Sequence, residues 1–204
     1  MELSFNNLKF DYNSKVIITY LLICLIAWFL NTITRGKTNK LLFESYRSSP
    51  LNPLTYIRLF THCIGHKDFD HLVSNFLYIL LVGPMIEEKY GSINTLILLL
   101  LTSLVIALFN IIFTNYRILG ASGNVYMLIV LSSFSNISEG KIPITVLLIL
   151  IFYIIGEIKN SILEGNKKIY HDGHLLGALC GLVFGILFLK YPNWTDIFTN
   201  LFIK

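Results

Sequence analysis

Long runs of apolar residues, separated by short polar segments, restrict this chain to a small set of folds. Hydrophobic residues make up 54% of the sequence and charged residues only 14%, and the charges gather between the runs. A soluble domain would alternate apolar and polar positions, whereas a stretch of about 20 apolar residues crosses a bilayer as a helix. The sequence therefore predicts an integral, multi-pass membrane protein. The runs cover residues 16–33, 69–86, 93–113, 125–134, 144–155 and 174–189.

These six runs predict an all-α membrane protein with six transmembrane helices in a single domain, residues 1–204. The first run is too long for a signal peptide, and no small-residue cleavage site follows it. Segment 34–67 mixes prolines and basic residues with apolar ones, so we expect this long first loop to lie in the membrane interface. The net charge of +4 reflects membrane topology and not a nucleic-acid partner. Three cysteines without paired spacing predict buried thiols, and we expect no cofactor.

Polar side chains lie at the N-terminal ends, or heads, of three of the runs. If each run crosses the membrane once, the second, fourth and sixth begin on the same side as the first loop. These heads carry His71 with Asn75, Ser122, and His174. At 1.5 Å per helical residue they lie about 20–24 Å from the surface where those helices end, inside a hydrocarbon core about 30 Å thick. Polar groups at that depth need a water-filled cavity or one another, so the sequence predicts one buried polar site.

The four side chains at these heads suit acyl transfer. A serine becomes a nucleophile when a base takes its proton, so Ser122 and His174 form a candidate pair. The oxyanion that results needs hydrogen-bond donors. The backbone N–H of Ser122, the Asn75 amide and the His71 ring are available, and residues 71 and 75 share a helical face. Asp172 lies two positions from His174, on another face of the helix, so we predict a Ser–His dyad and no triad.

Three short motifs together resemble those of the rhomboid family of intramembrane serine proteases. Residues 120–123 (Gly-Ala-Ser-Gly) resemble its nucleophile motif GxSG, and Tyr126 matches the tyrosine that packs on the catalytic histidine. Residues 71–75 resemble its oxyanion motif HxxxN. Residues 173–181 resemble its AHxxGxxxG motif, with Gly173 in place of the alanine. The likeness covers about residues 53–190, and the motifs are jointly specific.

The resemblance implies a rhomboid-like helical bundle in a lipid environment. It also implies a serine endopeptidase that cleaves transmembrane protein substrates within or near the bilayer. Arg58 in the first loop and Glu87 after the second run match positions of the family. The site residues that it implies are catalytic Ser122 and His174; oxyanion donors Asn75, His71 and the N–H of Ser122; and supporting Tyr126, Gly120, Gly123, Gly177 and Gly181.

Two other classes of function remain open. A catalytically silent rhomboid-like protein would bind or escort membrane proteins, although such relatives typically lack the serine or the histidine. A transporter with a polar site at mid-membrane would show inverted repeats and charged ion ligands. This sequence has no inverted repeat, and its intramembrane polar groups are a nucleophile, a base and oxyanion donors.

Some of these residues also have simpler structural interpretations. Gly177, Gly181 and Gly185 follow one another at a spacing of four, which is typical of a close helix-packing face. His62 and His66 are four residues apart, as metal ligands often are, but no carboxylate or cysteine completes a site. We therefore predict no metal and assign both histidines to hydrogen bonds that hold the first loop.

The basic residues conflict with the topology that the resemblance implies. Ten Lys and Arg residues lie in the first, third and fifth loops, and six lie in the remaining segments. The positive-inside rule would place the ten in the cytoplasm, whereas the rhomboid resemblance implies cytoplasmic termini and a site that opens outward. Because the first loop is long and embedded in the interface, we follow the family. The richness in Ile, Asn and Lys indicates an AT-rich genome, and we expect a bacterial cell membrane.

Overall fold

The computed structural model describes residues 12–114, 116–135 and 171–190, with four single positions at 144, 148, 151 and 155. Regular structure in these residues is helical, apart from one isolated antiparallel β-bridge between Ser45 and Ile118. The predicted all-α class is therefore confirmed. In chain order the helices are α1 (Lys15–Ile33), a π-helical turn (Asn39–Phe43), α2 (Pro53–Thr61), α3 (Phe69–Tyr90), α4 (Ser92–Phe113), α5 (Ser122–Ser132) and α6 (His171–Lys190).

Among the described residues, four helices are long and apolar enough to cross a membrane: Lys15–Ile33, Phe69–Tyr90, Ser92–Phe113 and Asp172–Lys190. They correspond to the first, second, third and sixth predicted runs. Large apolar side chains cover their outer surfaces, as expected where lipid takes the place of water, and the chain is an integral membrane protein. Most of the fifth run, 144–155, lies outside the described residues, and its four described positions are helical and exposed. The fourth run corresponds to the short helix α5, which is not among these four helices, so the count of six spans stays a prediction.

Helix α5 is short and central. Its 11 residues extend about 16 Å, roughly half of a hydrocarbon core of about 30 Å. Seven of the 11 are buried, from Gly123 to Leu131, which is what an apolar helix surrounded by other helices requires. The head of α5, which carries Ser122, therefore lies within the helical bundle.

The end of α3 holds the start of α1. Glu87 is 5% exposed and accepts hydrogen bonds at 3.0 Å from the backbone N–H groups of Val16 and Ile17. Those groups belong to the first turn of α1, where no helical carbonyl is available to them. The hydroxyl of Ser92, at the start of α4, donates to the same carboxylate at 2.6 Å. One buried carboxylate thus fixes three helix ends on the same side of the bundle.

The first loop is anchored on the opposite side. The guanidinium of Arg58 donates to the carbonyl oxygen of Leu41 at 3.0 and 2.8 Å and to that of Lys40 at 3.2 Å. Ser45 and Ile118 exchange backbone hydrogen bonds of 3.0 and 2.9 Å, so the first loop is tied to the segment that leads into α5. Arg58 and Glu87, which match positions of the family, are thus both held by hydrogen bonds to the backbone of other segments.

Candidate active site

Glycines on α6 allow it to approach α5 closely. A Cβ atom at Gly177 would lie 2.1 Å from the carbonyl oxygen of Gly123, and one at Gly181 would lie 2.5 Å from that of Met127. No side chain fits at these distances, so the two backbones meet only because these positions are glycine. A Cβ at Gly185 would lie 2.4 Å from the ring of Phe134. The predicted packing role of the glycine ladder is confirmed.

This close approach brings the heads of the two helices together. Ser122 is the first residue of α5, and His174 lies in the first turn of α6. The Nε2 atom of His174 is 3.0 Å from the Oγ of Ser122, which is a hydrogen-bonding distance. One turn further along α5, the ring of Tyr126 packs on the imidazole with 4.5 Å between centroids and an interplanar angle of 33°. Two of the predicted site residues, Ser122 and Tyr126, thus contact a third, His174.

The loop before Ser122 lies against the head of α3. Gly120 has a φ of 124°, in the region that glycine tolerates best, and its N–H donates to the carbonyl oxygen of His62 at 2.9 Å. A Cβ at Gly120 would lie 2.8 Å from the Nε2 of His71. The His71 imidazole therefore packs directly on the glycine two residues before the serine.

The side chain of Asn75, the other predicted oxyanion donor, is hydrogen-bonded to the backbone of its own helix. Its side chain is almost fully buried, and its Nδ2 donates to the carbonyl oxygen of His71 at 3.0 Å. Neither Asn75 nor His71 lines the cavity next to Ser122. An oxyanion at Ser122 would receive the Asn75 amide only if that side chain left its present hydrogen bond.

A cavity of about 40 Å³ adjoins the Ser122–His174 pair, enough for two or three water molecules. The buried part of its wall includes Ile106, His62 and Asn124. Asp172 lines it from the first turn of α6. Asp172 is exposed, as expected of a residue at a cavity mouth. Gly123 also belongs to the wall, and a Cβ there would lie 2.3 Å from Ile106 Cδ1, so the end of the Ile106 side chain would have to shift.

Comparison with known proteins identifies the family. A family model described as the Rhomboid domain matches residues 53–191, more than half of the chain. The chain belongs to the rhomboid family. It is 31% identical over 119 residues to Rhomboid protease GluP of Bacillus subtilis (strain 168), a match that covers 56% of this chain and 24% of that protein. It is 28% identical over 142 residues to Rhomboid-like protein 11, chloroplastic, of Arabidopsis thaliana, covering 63% of this chain and 51% of that protein. The chain thus spans about a quarter of the first relative's length and about half of the second's.

Two further histidines of this rhomboid domain, both in the first loop, form hydrogen bonds to backbone carbonyl oxygens. His62 is buried, with its Nε2 at 2.9 Å from the Ser103 carbonyl oxygen, and burial lowers its pKa to about 4, against the opposing effect of that hydrogen bond. His66 has its Nδ1 at 3.1 Å from the Ile64 carbonyl oxygen, and burial followed by the charge of His71 lowers its pKa to about 4. Both rings are neutral at pH 7, and their predicted hydrogen-bonding role is confirmed. No three His, Cys, Asp or Glu side chains in the described residues are grouped as metal ligands.

Asn124 is a residue of this rhomboid site that no sequence motif singled out. It is 1% exposed, and its Nδ2 donates to the hydroxyl of Tyr20 at 3.4 Å and to that of Ser103 at 3.2 Å. The Tyr20 hydroxyl in turn donates to the carbonyl oxygen of Cys63 at 2.9 Å. These bonds join α1, α4 and α5 behind the head of α5. The available signal was an amide within an otherwise apolar helix.

Proposed function

We propose that this rhomboid-family protein is an intramembrane serine endopeptidase that cleaves transmembrane protein substrates within or near the bilayer. The observation that carries the proposal is the 3.0 Å contact between His174 Nε2 and Ser122 Oγ, at the heads of two helices that meet through glycines. The family match and the similarity to a Bacillus subtilis protein named a rhomboid protease support it.

In the proposed mechanism, Ser122 and His174 act as nucleophile and base. Ser122 Oγ attacks the carbonyl carbon of the scissile peptide bond while His174 Nε2 takes the hydroxyl proton. The C–N bond then breaks, and the imidazolium returns the proton to the leaving amine. A water molecule attacks the resulting ester, His174 takes its proton, and that proton goes back to Ser122 as the serine leaves. The reactive histidine is therefore neutral, with its own proton on Nδ1.

The oxyanion of the tetrahedral adduct needs donors that already point at it. The backbone N–H of Ser122 belongs to the first turn of α5, where helical N–H groups have no helical acceptor and the helix dipole favours negative charge. The ring of His71, which packs on Gly120, and the amide of Asn75 complete the proposed set. Asn75 exchanges its bond to the His71 carbonyl for one to the oxyanion. Loss of one such donor costs roughly 100-fold in rate.

The position of the Ser122–His174 pair in the bundle indicates how a substrate reaches it and which kind of substrate it accepts. Because Ser122 heads a short helix inside the bundle, the substrate backbone must reach it from the lipid, sideways or past the first loop. A peptide carbonyl is open to attack only where the substrate helix is locally unwound, so we propose substrates whose transmembrane segment is destabilised. The Bacillus subtilis relative and the AT-rich coding bias support a bacterial cell membrane as the location.

Labelling with a fluorophosphonate, which reacts with activated serines, tests the proposal. We expect the detergent-purified protein to be labelled, and Ser122→Ala and His174→Ala to lose the label. Ser132→Ala is the matched control, because Ser132 lies at the other end of α5 and its hydroxyl donates to the Ile129 carbonyl oxygen; it should label like the wild type. A folded wild-type protein that does not react would reject the protease and favour the silent membrane-protein binder.

A further inference from the structure

The start of α5 lacks the side-chain cap that two other helices of this protein have. Asn52 and Asp68 each accept a hydrogen bond from a first-turn N–H group, of α2 and α3 respectively. The residue before α5 is Ala121, and no side chain caps this helix. A cap would stand beside the N–H of Ser122, which the proposed mechanism gives to the oxyanion. Other contacts must therefore hold the head of α5 in place.

Asn124 ties the head of α5 to two other helices. It is the third residue of α5, and two residues turn an α-helix by about 200°, so its side chain points away from that of Ser122. Its Nδ2 donates to the hydroxyl of Tyr20 on α1 and to that of Ser103 on α4. The glycines of α6 thus hold the head of α5 on one side, and these two bonds hold it on another.

These bonds belong to a closed ring of hydrogen bonds. The Tyr20 hydroxyl donates to the carbonyl oxygen of Cys63 at 2.9 Å. The preceding residue, His62, donates from Nε2 to the carbonyl oxygen of Ser103 at 2.9 Å, since a carbonyl oxygen can only accept. The hydrogen-bond ring thus consists of Tyr20, Cys63, His62, Ser103 and Asn124. It joins α1, α4 and α5 to the first loop.

Through this ring, two consecutive residues of the first loop hold the chain on both sides of Ser122. The carbonyl oxygen of His62 accepts from the N–H of Gly120, two residues before the serine. Asn124, two residues after the serine, is held through the Tyr20 hydroxyl by the next carbonyl oxygen of the loop. A shift of the head of α5 relative to the first loop would therefore break one of these bonds.

Stability of the fold does not by itself account for an amide at position 124. The Oδ1 of Asn124 is buried without a hydrogen-bond partner. The hydroxyls of Tyr20 and Ser103 donate to backbone carbonyl oxygens, so they would keep those bonds in Asn124→Leu. The substitution leaves no buried donor unpaired and should cost the fold little. What the amide contributes is the placement of the head of α5.

We propose that Asn124 is a positioning residue: as a member of the hydrogen-bond ring, its amide fixes the first turn of α5 so that Ser122 meets His174 in the reactive geometry. The inference rests on the proposed protease function, because Asn124 acts only through Ser122. The Ser122 Oγ and the His174 Nε2 are 3.0 Å apart, and a misplacement of about 1 Å costs on the order of 100-fold in rate. Loss of the amide therefore slows the chemical step and leaves substrate binding as it is.

The test is Asn124→Leu, and its matched control is Asn94→Leu. Asn94 lies in the first turn of α4; its Nδ2 donates to the Tyr90 carbonyl oxygen at 2.6 Å, and its Oδ1 is also buried without a partner. The measurements, in detergent, are kcat and KM for a reporter protein with one transmembrane helix interrupted by glycines, the rate of fluorophosphonate labelling, and the unfolding temperature. In Asn124→Leu we expect kcat and the labelling rate to fall about tenfold or more. KM should stay within about twofold of the wild type and the unfolding temperature within about 3 °C. Asn94→Leu should match the wild type in kcat, KM and labelling.

Removing the partners of Asn124 tests whether it acts through the hydrogen-bond ring. Tyr20→Phe combined with Ser103→Ala deletes both hydroxyls that the amide reaches, and this double variant should be slowed about as much as Asn124→Leu. Adding Asn124→Leu to it should slow labelling no further, because residues that act as one unit are not additive. A full further loss would overturn the proposal. So would a folded double variant that labels like the wild type, which decides the question even if Asn124→Leu does not fold.

The wild type separates the two levels of the proposal. A folded wild type that neither labels nor cleaves rejects the protease and the inference together. If the wild type is active, an Asn124→Leu protein with unchanged kcat and labelling rejects the inference alone. An effect confined to KM would mean that Asn124 contacts the substrate, and a rate that falls only as the folded fraction falls would make its role purely structural. Either result also rejects the positioning role.

Discussion

At the scale of single residues, the candidate site depends on the absence of a side chain at position 177. A Cβ there would lie 2.1 Å from the Gly123 carbonyl oxygen, so Gly177→Ala must push α5 and α6 apart. Overpacking costs about 1–3 kcal/mol, and moving His174 from Ser122 by about 1 Å costs on the order of 100-fold in rate. We expect fluorophosphonate labelling to slow by about that factor and the unfolding temperature in detergent to fall by about 5 °C.

Gly173→Ala is the matched control for this substitution. It lies on the same helix, but its Cβ would lie 3.7 Å from Ile106 Cγ2, an ordinary contact. Its unfolding temperature should equal that of the wild type. If Gly177→Ala labelled as fast as the wild type, the close approach of α5 and α6 would not be what holds the Ser122–His174 contact.

Residue patterns predicted part of the site and missed the rest for a physical reason. The polar heads of the helices are local signals that led to Ser122 and His174, and the family resemblance added Tyr126; the structure brings the three together. Asn124 has no local signal of that kind. Its partners Tyr20 and Ser103 are 104 and 21 residues away, so the amide acquires a meaning only after three helices have packed.

At the scale of helices, the start of α1 depends on one carboxylate of α3. Glu87→Ala would leave the N–H groups of Val16 and Ile17 without their acceptor, and it would remove the partner of the Ser92 hydroxyl. Loss of hydrogen bonds to a buried charged group costs about 1.5–3 kcal/mol. We expect the unfolding temperature in detergent to fall by about 5–10 °C, with labelling of the serine retained at low temperature.

The neighbouring carboxylate gives the control for this prediction. Glu88 is exposed, and Glu88→Ala should leave the unfolding temperature unchanged. Equal stability of the Glu87→Ala and Glu88→Ala proteins would mean that the hydrogen bonds at the start of α1 contribute nothing to the fold.

Helix ends were harder to predict than helices. The apolar run 69–86 predicted a helix that stops at Glu87, but α3 continues to Tyr90. Charged residues end the membrane-compatible part of a helix without ending the helix itself. The chain turns only at Gly91, whose φ is 83°. Inside the first loop, the π-helical turn and α2 were not predicted, because their short segments carry no sustained apolar period.

At the scale of the whole molecule, the structure bears on the conflict between charge and topology. The bridge between Ser45 and Ile118 puts the first loop and the α4–α5 connection on one side, with the head of α5. Three of the arginines on that side are engaged by protein acceptors: Arg47 by the carbonyls of Ile111 and Ile112, Arg58 by those of Lys40 and Leu41, and Arg117 by Glu44. Arginines held in this way say little about the membrane surface, so the excess of positive charge is a weaker guide to orientation than the family.

We therefore expect the first-loop side to face outward and the start of α1 to face the cytoplasm. Single cysteines at Lys67 and Glu88, both exposed and on opposite sides of the bundle, provide a matched pair, and the native Cys24, Cys63 and Cys180 are buried. In intact bacterial cells a membrane-impermeant maleimide should label Lys67→Cys, whereas Glu88→Cys should react only after permeabilisation. The opposite pattern would show that the ten loop cations govern insertion and that the site opens to the cytoplasm. Fluorophosphonate labelling of both proteins is the control, because it shows that neither cysteine has disturbed the fold around Ser122.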